Sequence, residues 1–340
     1  MKKKIAIHWF RFDLRVSDNP SLNYLSKNYD NIVGIYIFDE INSDPNLGSA
    51  SKVWLNASLN YLNNQLDGNL ILLKGDPKDC INQLFDSFDV EEISWNRSYE
   101  PWIVERDKKL KTYLKQKINV SSFNGSLLWE PWQVLKNDGT PYKVFTPFYK
   151  RGCLSASRPR IPQSEKIVFF KHNFNSLNVS DLDLLENKKW EKKVLSHWNV
   201  GENISIDIMK SFYLNGVKDY SEGRNFPIKK NVSKLSPYLH WGQISPNILW
   251  YELKRLKKFS YEYFITYTPA ANGSTTTAKT KTANVSEGAS ITEGTSYKQS
   301  GAKTATYYTI YSCGCNNSAN SCNINSDSIT RLEQDVTLIK

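Results

Sequence analysis

Residues suited to binding chemistry gather in two adjacent runs, Tyr220-Ser-Glu-Gly-Arg224-Asn-Phe-Pro227 and Val232-Ser233-Lys234-Leu235-Ser236-Pro237-Tyr-Leu-His240-Trp241-Gly242. They combine an aromatic ring, a fixed positive charge and two hydroxyls. Ser233 and Ser236 each suit a helix start, and Pro237 suits a first turn, where its missing N–H costs nothing. Free N–H groups beside hydroxyls at such a start would receive a phosphate or pyrophosphate. A plain capped helix satisfies the same pattern. A second set lies in His8-Trp-Phe-Arg11-Phe-Asp13-Leu-Arg15-Val-Ser-Asp18-Asn19-Pro20. Here Arg11 and Arg15 either face a ligand or tie the chain to Asp13 or Asp18. His240 and Trp241 fall inside a helical pattern with Leu239 and Ile244, which favours core or supporting roles over acid–base or redox roles.

The elements that must position these residues follow from the apolar pattern. Ile5–Phe10, Ile32–Phe38, Leu70–Leu73, Ile93–Trp95 and Val120–Phe123 are short apolar runs that read as strands. Between them lie amphipathic stretches, such as Trp54, Leu55, Leu59 and Leu62, and later Ile81, Leu84, Phe85 and Phe88. Apolar strands alternating with helices predict a five-stranded parallel sheet in a doubly wound α/β domain over residues 1–130. Asp18-Asn19-Pro20 supplies a cap and an early proline for the first helix. Ligands of such sheets bind at the carboxyl ends of the strands, which here carry Arg11 to Arg15 and Asn96 to Glu100. Neither G-x-G-x-x-G nor G-x-x-x-x-G-K-[ST] occurs, so an ordinary dinucleotide or ATP site is not expected. Residues 131–195, with prolines at 131, 141, 147, 159 and 162, are expected to link two domains. Helical spacing resumes at Ile204, Ile208 and Phe212 and again from Asn247 to Lys258, so 196–258 reads as α-helical.

Three blocks in order carry a family resemblance: His8–Pro20, Gly139-Thr-Pro-Tyr-Lys-Val-Phe-Thr-Pro-Phe148, and Tyr220–Gly242. Gly75-Asp-Pro77 and Asn96-Arg-Ser-Tyr-Glu-Pro-Trp102 are weaker echoes. Together they resemble the DNA photolyase/cryptochrome family over roughly residues 1–258. The resemblance implies a Rossmann-like domain with an antenna chromophore, a folate or a deazaflavin, followed by the start of a helical FAD-binding domain. It implies that Tyr220 packs against FAD, that Val232, Ser233, Lys234, Leu235 and Ser236 hold its phosphates, and that Arg224 contacts DNA phosphate. A salt bridge from Arg224 to Glu222 or Asp219 is the competing role. Val232 stands where the family commonly has Thr, which removes one hydroxyl. The implied activity is that of a deoxyribodipyrimidine photolyase, in which FADH− excited by blue light splits cyclobutane pyrimidine dimers in damaged DNA. A cryptochrome-like photosensor is the near alternative. A non-catalytic remnant that binds antenna chromophore or DNA without stable flavin is the more distant one.

Composition divides the chain. It has 340 residues, 40% hydrophobic and 13% aromatic, enough for a sizeable core. Residues 259–340 hold six basic and six acidic residues, so the net charge of +10 belongs to the head and suits a polyanionic partner. No apolar run approaches the roughly 20 residues needed to cross a bilayer, nor does the N-terminus resemble a signal peptide. The expectation is a cytoplasmic monomer. From residue 259 the sequence turns to Thr, Ser, Asn, Gly and Ala, and all ten tryptophans lie at or before Trp250. This tail is expected to be low-complexity and unrelated to the family, with the resemblance truncated inside the flavin domain. Tyr307–Tyr311 could form one strand within it. Cys313, Cys315 and Cys322 lack the fourth ligand of a closed zinc site, while Cys80 and Cys153 read as structural.

Overall fold

The structure is a computed structural model that describes residues 2–39, 47–186, 188–226 and 228–255, together with three strands beyond them. Residues 1–255 form one compact unit and 256–340 a second. In the first unit the elements run β1 (Lys4–Phe10), α1 (Pro20–Asn28), β2 (Ile32–Phe38), α2 (Ser49–Gln65), β3 (Leu70–Lys74), α3 (Pro77–Ser87), β4 (Asp89–Asn96), α4 (Pro101–Leu114) and β5 (Asn119–Phe123). All neighbouring strands pair in parallel, in the order β3-β2-β1-β4-β5. The doubly wound sheet expected from the apolar runs is thus present, with β1 at its centre.

Alternation along β1 feeds two cores. Ala6 and Phe10 pack with α1 and α2 through Leu22, Leu25, Leu55, Leu59 and Leu62. Ile5, Ile7 and Trp9 face the other side, with Ile81 and Leu84 of α3 and Leu110 and Leu114 of α4. Gly34 lets β2 approach closely, because a Cβ there would lie 2.7 Å from Leu66 and 2.9 Å from Phe10. The helix starts agree with the sequence. Asn19 caps α1 by accepting from Leu22 N, with Pro20 in its first turn. Asp76 caps α3 through Lys78 N and Asp79 N.

After β5 the chain runs as a strap rather than a loose spacer. It makes a short helical turn, α5 (Phe145–Pro147), and then returns along the sheet edge. There Phe170 N donates to Ile32 O at 2.8 Å and Leu177 N to Leu72 O at 3.1 Å. Leu182 and Leu184 are fully buried in the α1–α2 core. Four more helices and a final one follow: α6 (Lys189–His197), α7 (Glu202–Asn215), α8 (Tyr220–Gly223), α9 (Ser236–His240) and α10 (Pro246–Arg255). Met209 of α7, Tyr238 of α9, Trp241 and Ile244 join the same core as the sheet. The compact unit therefore runs across the boundaries expected near residues 130 and 195.

The second unit contains β6 (Tyr261–Tyr267), β7 (Ala305–Gly314) and β8 (Thr330–Ile339), paired antiparallel in that order. Tyr307–Tyr311 lies inside β7. Composition gives no hint of its two partner strands. Cys315 and Cys322 lie outside the described residues, and no cluster of metal-ligating side chains occurs among the described ones.

Candidate functional site

At the carboxyl ends of β1 and β4 the polar side chains of the first block converge below the surface. Asp13 accepts from Arg11 N at 2.7 Å, Asn96 Nδ2 at 2.6 Å and Asn19 Nδ2 at 3.2 Å. His8 Nε2 lies 3.4 Å from the same carboxylate, and its Nδ1 lies 2.8 Å from Ser21 Oγ. Ser21 continues to Ser94 and Ser121, so the chain of polar contacts crosses from β1 to β5. Burial drives His8 below the ordinary imidazole range, so it is neutral. Burial alone would raise Asp13, but its contacts with His8 and Arg11 N and the charge of Arg15 outweigh that, and it sits below the ordinary carboxylate range. The cluster is a buried polar knot with one fixed negative charge.

Arg15 serves the fold, as does Arg11 through its terminal nitrogens, although their main partners are not the carboxylates of Asp13 or Asp18. Arg11 donates to Asp107 Oδ2 at 2.5 Å and to the Asn96 carbonyl, and its guanidinium lies over Trp9 at 5.1 Å. Arg106 extends the chain of charge to Asp39 at 3.1 Å. Arg15 is 1% exposed and donates to Ser17 O, Asp18 O, Gly125 O and Gly242 O at 3.1, 2.9, 2.7 and 2.8 Å. It joins the end of β1 to the end of β5 and to the Gly242 turn. The Asp18 carboxylate turns instead to Arg160.

Three buried polar atoms here have no hydrogen-bond partner among the described residues: Trp9 Nε1, Arg11 Nε and Asn96 Oδ1. Two of them are donors at the sheet end where ligands of this fold bind. Around the rim, Arg97 and Tyr99 both reach Glu130 Oε1, at 2.7 and 2.8 Å, while Trp102 and Trp132 stand exposed. The segment after β4 is therefore fixed, with its open rings outward.

The Tyr220–Gly242 block is docked by its C-terminal half and open at its N-terminal half. Leu235, Tyr238 and Trp241 are buried, and Leu14 N donates to Trp241 O at 3.0 Å. Gly242 has φ +63°, and a Cβ there would run into Phe12 O, so only glycine fits the turn. Gln243 is held by Trp54 Nε1 and by Ser58, at 3.1 and 3.2 Å. Trp241 is the core residue expected, but His240 is exposed against Phe12 and Trp241.

The expected phosphate cradle differs from the structure. The cap of α9 is Leu235, with no side-chain hydrogen bond, and Ser236 is the first helical residue. Ser233 Oγ only accepts from Leu235 N at 3.4 Å. The reason is the left-handed turn at Lys234, φ +55°, which carries Ser233 back before the helix begins. At five residues α9 offers no extended N-terminal field. Tyr220 and Val232 are 40% and 45% exposed, and Tyr220 packs edge-on to Phe212 at 5.8 Å. Arg224 lies 5.6 Å over the Tyr220 ring, while Glu222 pairs with Lys229 at 3.4 Å. In place of the competing ion pair with Glu222 or Asp219, Arg224 makes a cation–π contact, and its charge stays open to solvent. Pro227 lies outside the described residues.

Hollows of about 700 and 620 Å³ open elsewhere. One lies at the amino ends of β1 and β4 beside Lys2, Lys4 and Lys117, the other between α2 and the strap. Neither is lined by Tyr220 or by residues 232–236. Tyr220 and Val232 thus stand on an exposed wall. Cys80 and Cys153 are buried free thiols, and burial pushes Cys80 up to about 11, consistent with structural roles.

A central parallel sheet whose carboxyl edge carries a buried Arg–Asp network, with helices clasped behind it, defines a doubly wound α/β protein. Residues 6–165 match the model of the DNA photolyase family. The deoxyribodipyrimidine photo-lyase of Agrobacterium fabrum is 34% identical over 265 residues, 76% of this chain and 55% of that protein. The crystal structure of a bacterial class III photolyase from Agrobacterium tumefaciens superimposes with a TM-score of 0.71 at 34% identity, covering 76% of this chain and 54% of that one. Cryptochrome-1 of Arabidopsis thaliana is 30% identical over 268 residues, 75% of this chain and 38% of that protein. The chain belongs to the DNA photolyase/cryptochrome family through this N-terminal part, and it spans about half the length of the curated photolyases it matches. No described helix is long and apolar enough to cross a membrane.

Proposed function

We propose that this chain supplies the chromophore- and DNA-binding part of deoxyribodipyrimidine photolyase chemistry, the blue-light-driven, FADH−-dependent splitting of cyclobutane pyrimidine dimers. The supporting observation is the 34% identity to the deoxyribodipyrimidine photo-lyase of Agrobacterium fabrum across three quarters of this chain, with a TM-score of 0.71 to the class III photolyase structure. In this reading the α/β unit carries the antenna chromophore at its carboxyl edge. The buried donors Trp9 Nε1 and Arg11 Nε are suited to a polar acceptor there. The partner is damaged DNA, with Arg224 and the net positive head toward phosphate. Such a partner suits a cytoplasmic monomer.

Flavin, when bound, would supply the photoexcited electron. The wall at Tyr220 and Val232–Ser236 leaves it open to solvent, so no electron-transfer step follows from the described residues. What they do is hold the wall in register with the sheet through Arg15 and Gly242. That openness favours, for the chain by itself, the reading of a module that binds chromophore or DNA and releases flavin. The identity to cryptochrome-1 supports a photosensory role as the other reading. The test is to purify the chain in dim light, supply FAD, and assay repair of a dimer-containing oligonucleotide under blue light. Repair in the light and none in the dark supports photolyase action. Light-dependent flavin reduction without repair favours the photosensor, and absence of flavin binding favours the module.

A further inference from the structure

The Gly139–Phe148 block is used by neither the sheet edge nor the flavin wall, and it sits in a closed lobe. Trp129 Nε1 donates to Ser157 O at 2.7 Å and closes the base. Gly152 lies against Val134 and Tyr142, where a Cβ would come within 2.6 and 3.0 Å, so the two limbs touch at mid-height. A turn at Lys136–Thr140, with Gly139 at φ +77°, reverses the chain. The lobe then presents its rings outward instead of burying them. Phe145 is 74% exposed and lies parallel to Tyr149, four residues on, with 3° between the rings and 5.9 Å between centroids. Phe148 and Trp132 are also exposed.

Charge on the lobe points one way. Lys143, Lys150, Arg151 and Arg158, all within 13 residues of Phe145 in the chain, are exposed. Of its two carboxylates, Glu130 is buried against Arg97 and Tyr99. Asp138 is turned onto Thr140, accepting from its N–H and its hydroxyl at 2.9 and 2.6 Å. Exposed aromatic faces set among cations are what single-stranded nucleic acid needs: bases stack on the rings and phosphates meet the lysines and arginines. A duplex hides its base faces in the stack and offers only phosphate.

We propose that this lobe is a stacking platform for single-stranded or unpaired nucleic acid, centred on Phe145 and Tyr149. It deepens the nucleic-acid part of the proposed function and rests on none of the flavin chemistry. The test uses the full chain in the dark without added flavin. Binding of a fluorescent, undamaged oligothymidine and of a duplex of equal length is followed by polarisation over a range of salt. The wild type is expected to prefer the single strand. Phe145→Ala with Tyr149→Ala is expected to weaken it about 5- to 100-fold, with an unchanged circular dichroism melt because both rings lie outside the core. Lys150→Glu with Arg151→Glu is expected to lower the salt slope by about 0.7 for each phosphate no longer neutralised. Equal affinity of the ring variant and the wild type would overturn the proposal, as would failure of the wild type to bind. So would a ring variant that only turns a dimer into a monomer, which would mark a self-association surface. Because the probe carries no lesion, these failures leave the photolyase reading standing, and failure of repair leaves this one standing.

Discussion

His8 and Asp13 share one buried knot and both lose stability in acid, but in different pH windows. His8 is held neutral by burial, below its ordinary 6.5. As pH falls below about 6.5 the unfolded chain takes up a proton that the folded chain refuses, so stability declines, by at most about 1.4 kcal/mol per pH unit. Asp13 is depressed from 3.8, so its stabilisation is complete above that value and is lost only as pH falls toward its folded value of about 2. Urea unfolding across pH 5 to 8 should therefore show an acid limb that His8→Gln flattens; a limb of equal slope in the variant would contradict the assignment. Arg15 and Gly242 form the other residue-scale claim. Arg15→Met strands four carbonyls and should cost at least about 3 kcal/mol. Gly242→Ala adds left-handed strain and a backbone clash and should cost more than about 2 kcal/mol. Ser233→Ala and Ser236→Ala should change stability by less than about 0.5 kcal/mol, since neither side chain caps α9. Thermal or urea melts of the four variants check the order.

Elements differ in how much of them the sequence shows, and the reasons are physical. The five strands are legible because a sheet covered on both faces demands unbroken apolar runs, as in Ile32–Phe38, which is buried throughout. The starts of α1 and α3 are legible because Asn19-Pro20 and Asp76-Pro77 act through local hydrogen bonds. The strap is not, because its anchors, Phe169, Leu182 and Leu184, are isolated residues without a period, and the parts of the sheet they meet are distant in sequence. The start of α9 misleads for a related reason. A serine three residues before another suits a cap, but the turn at Lys234 is set by the docking of Leu235 and Tyr238. The polar knot is half legible: Arg11, Asp13 and Arg15 stand out, whereas nothing local links Asn19, Asn96 and Glu202 to them. Glu202 lies far along the chain yet accepts from Val16 N and Ser17 N, both at 2.8 Å. If the strap is integral to the core, Leu182→Ala should cost about 2–4 kcal/mol in urea unfolding. A cost under about 0.5 kcal/mol would restore the view of residues 131–195 as a spacer.

For the whole molecule the consequence is a division of labour. Residues 1–255 form one body in which the sheet edge is closed and fixed, while the wall proposed for flavin is fixed from behind, with Tyr220 and Val232 exposed in front. Rigid support of a wall is not a pocket, since binding a cofactor of this size normally buries most of its surface. Membership of the family and retention of its cofactor are therefore separate properties of this chain. The most direct measurement is the absorption spectrum of the full chain, expressed, purified and dialysed in dim light with FAD offered beforehand. Flavin is expected to wash out, leaving less than about a tenth of a flavin per chain, a weak-site outcome on the exposed wall. Stoichiometric flavin bands surviving dialysis would contradict this and show that the wall at Tyr220 and Val232–Ser236 is enclosed after all.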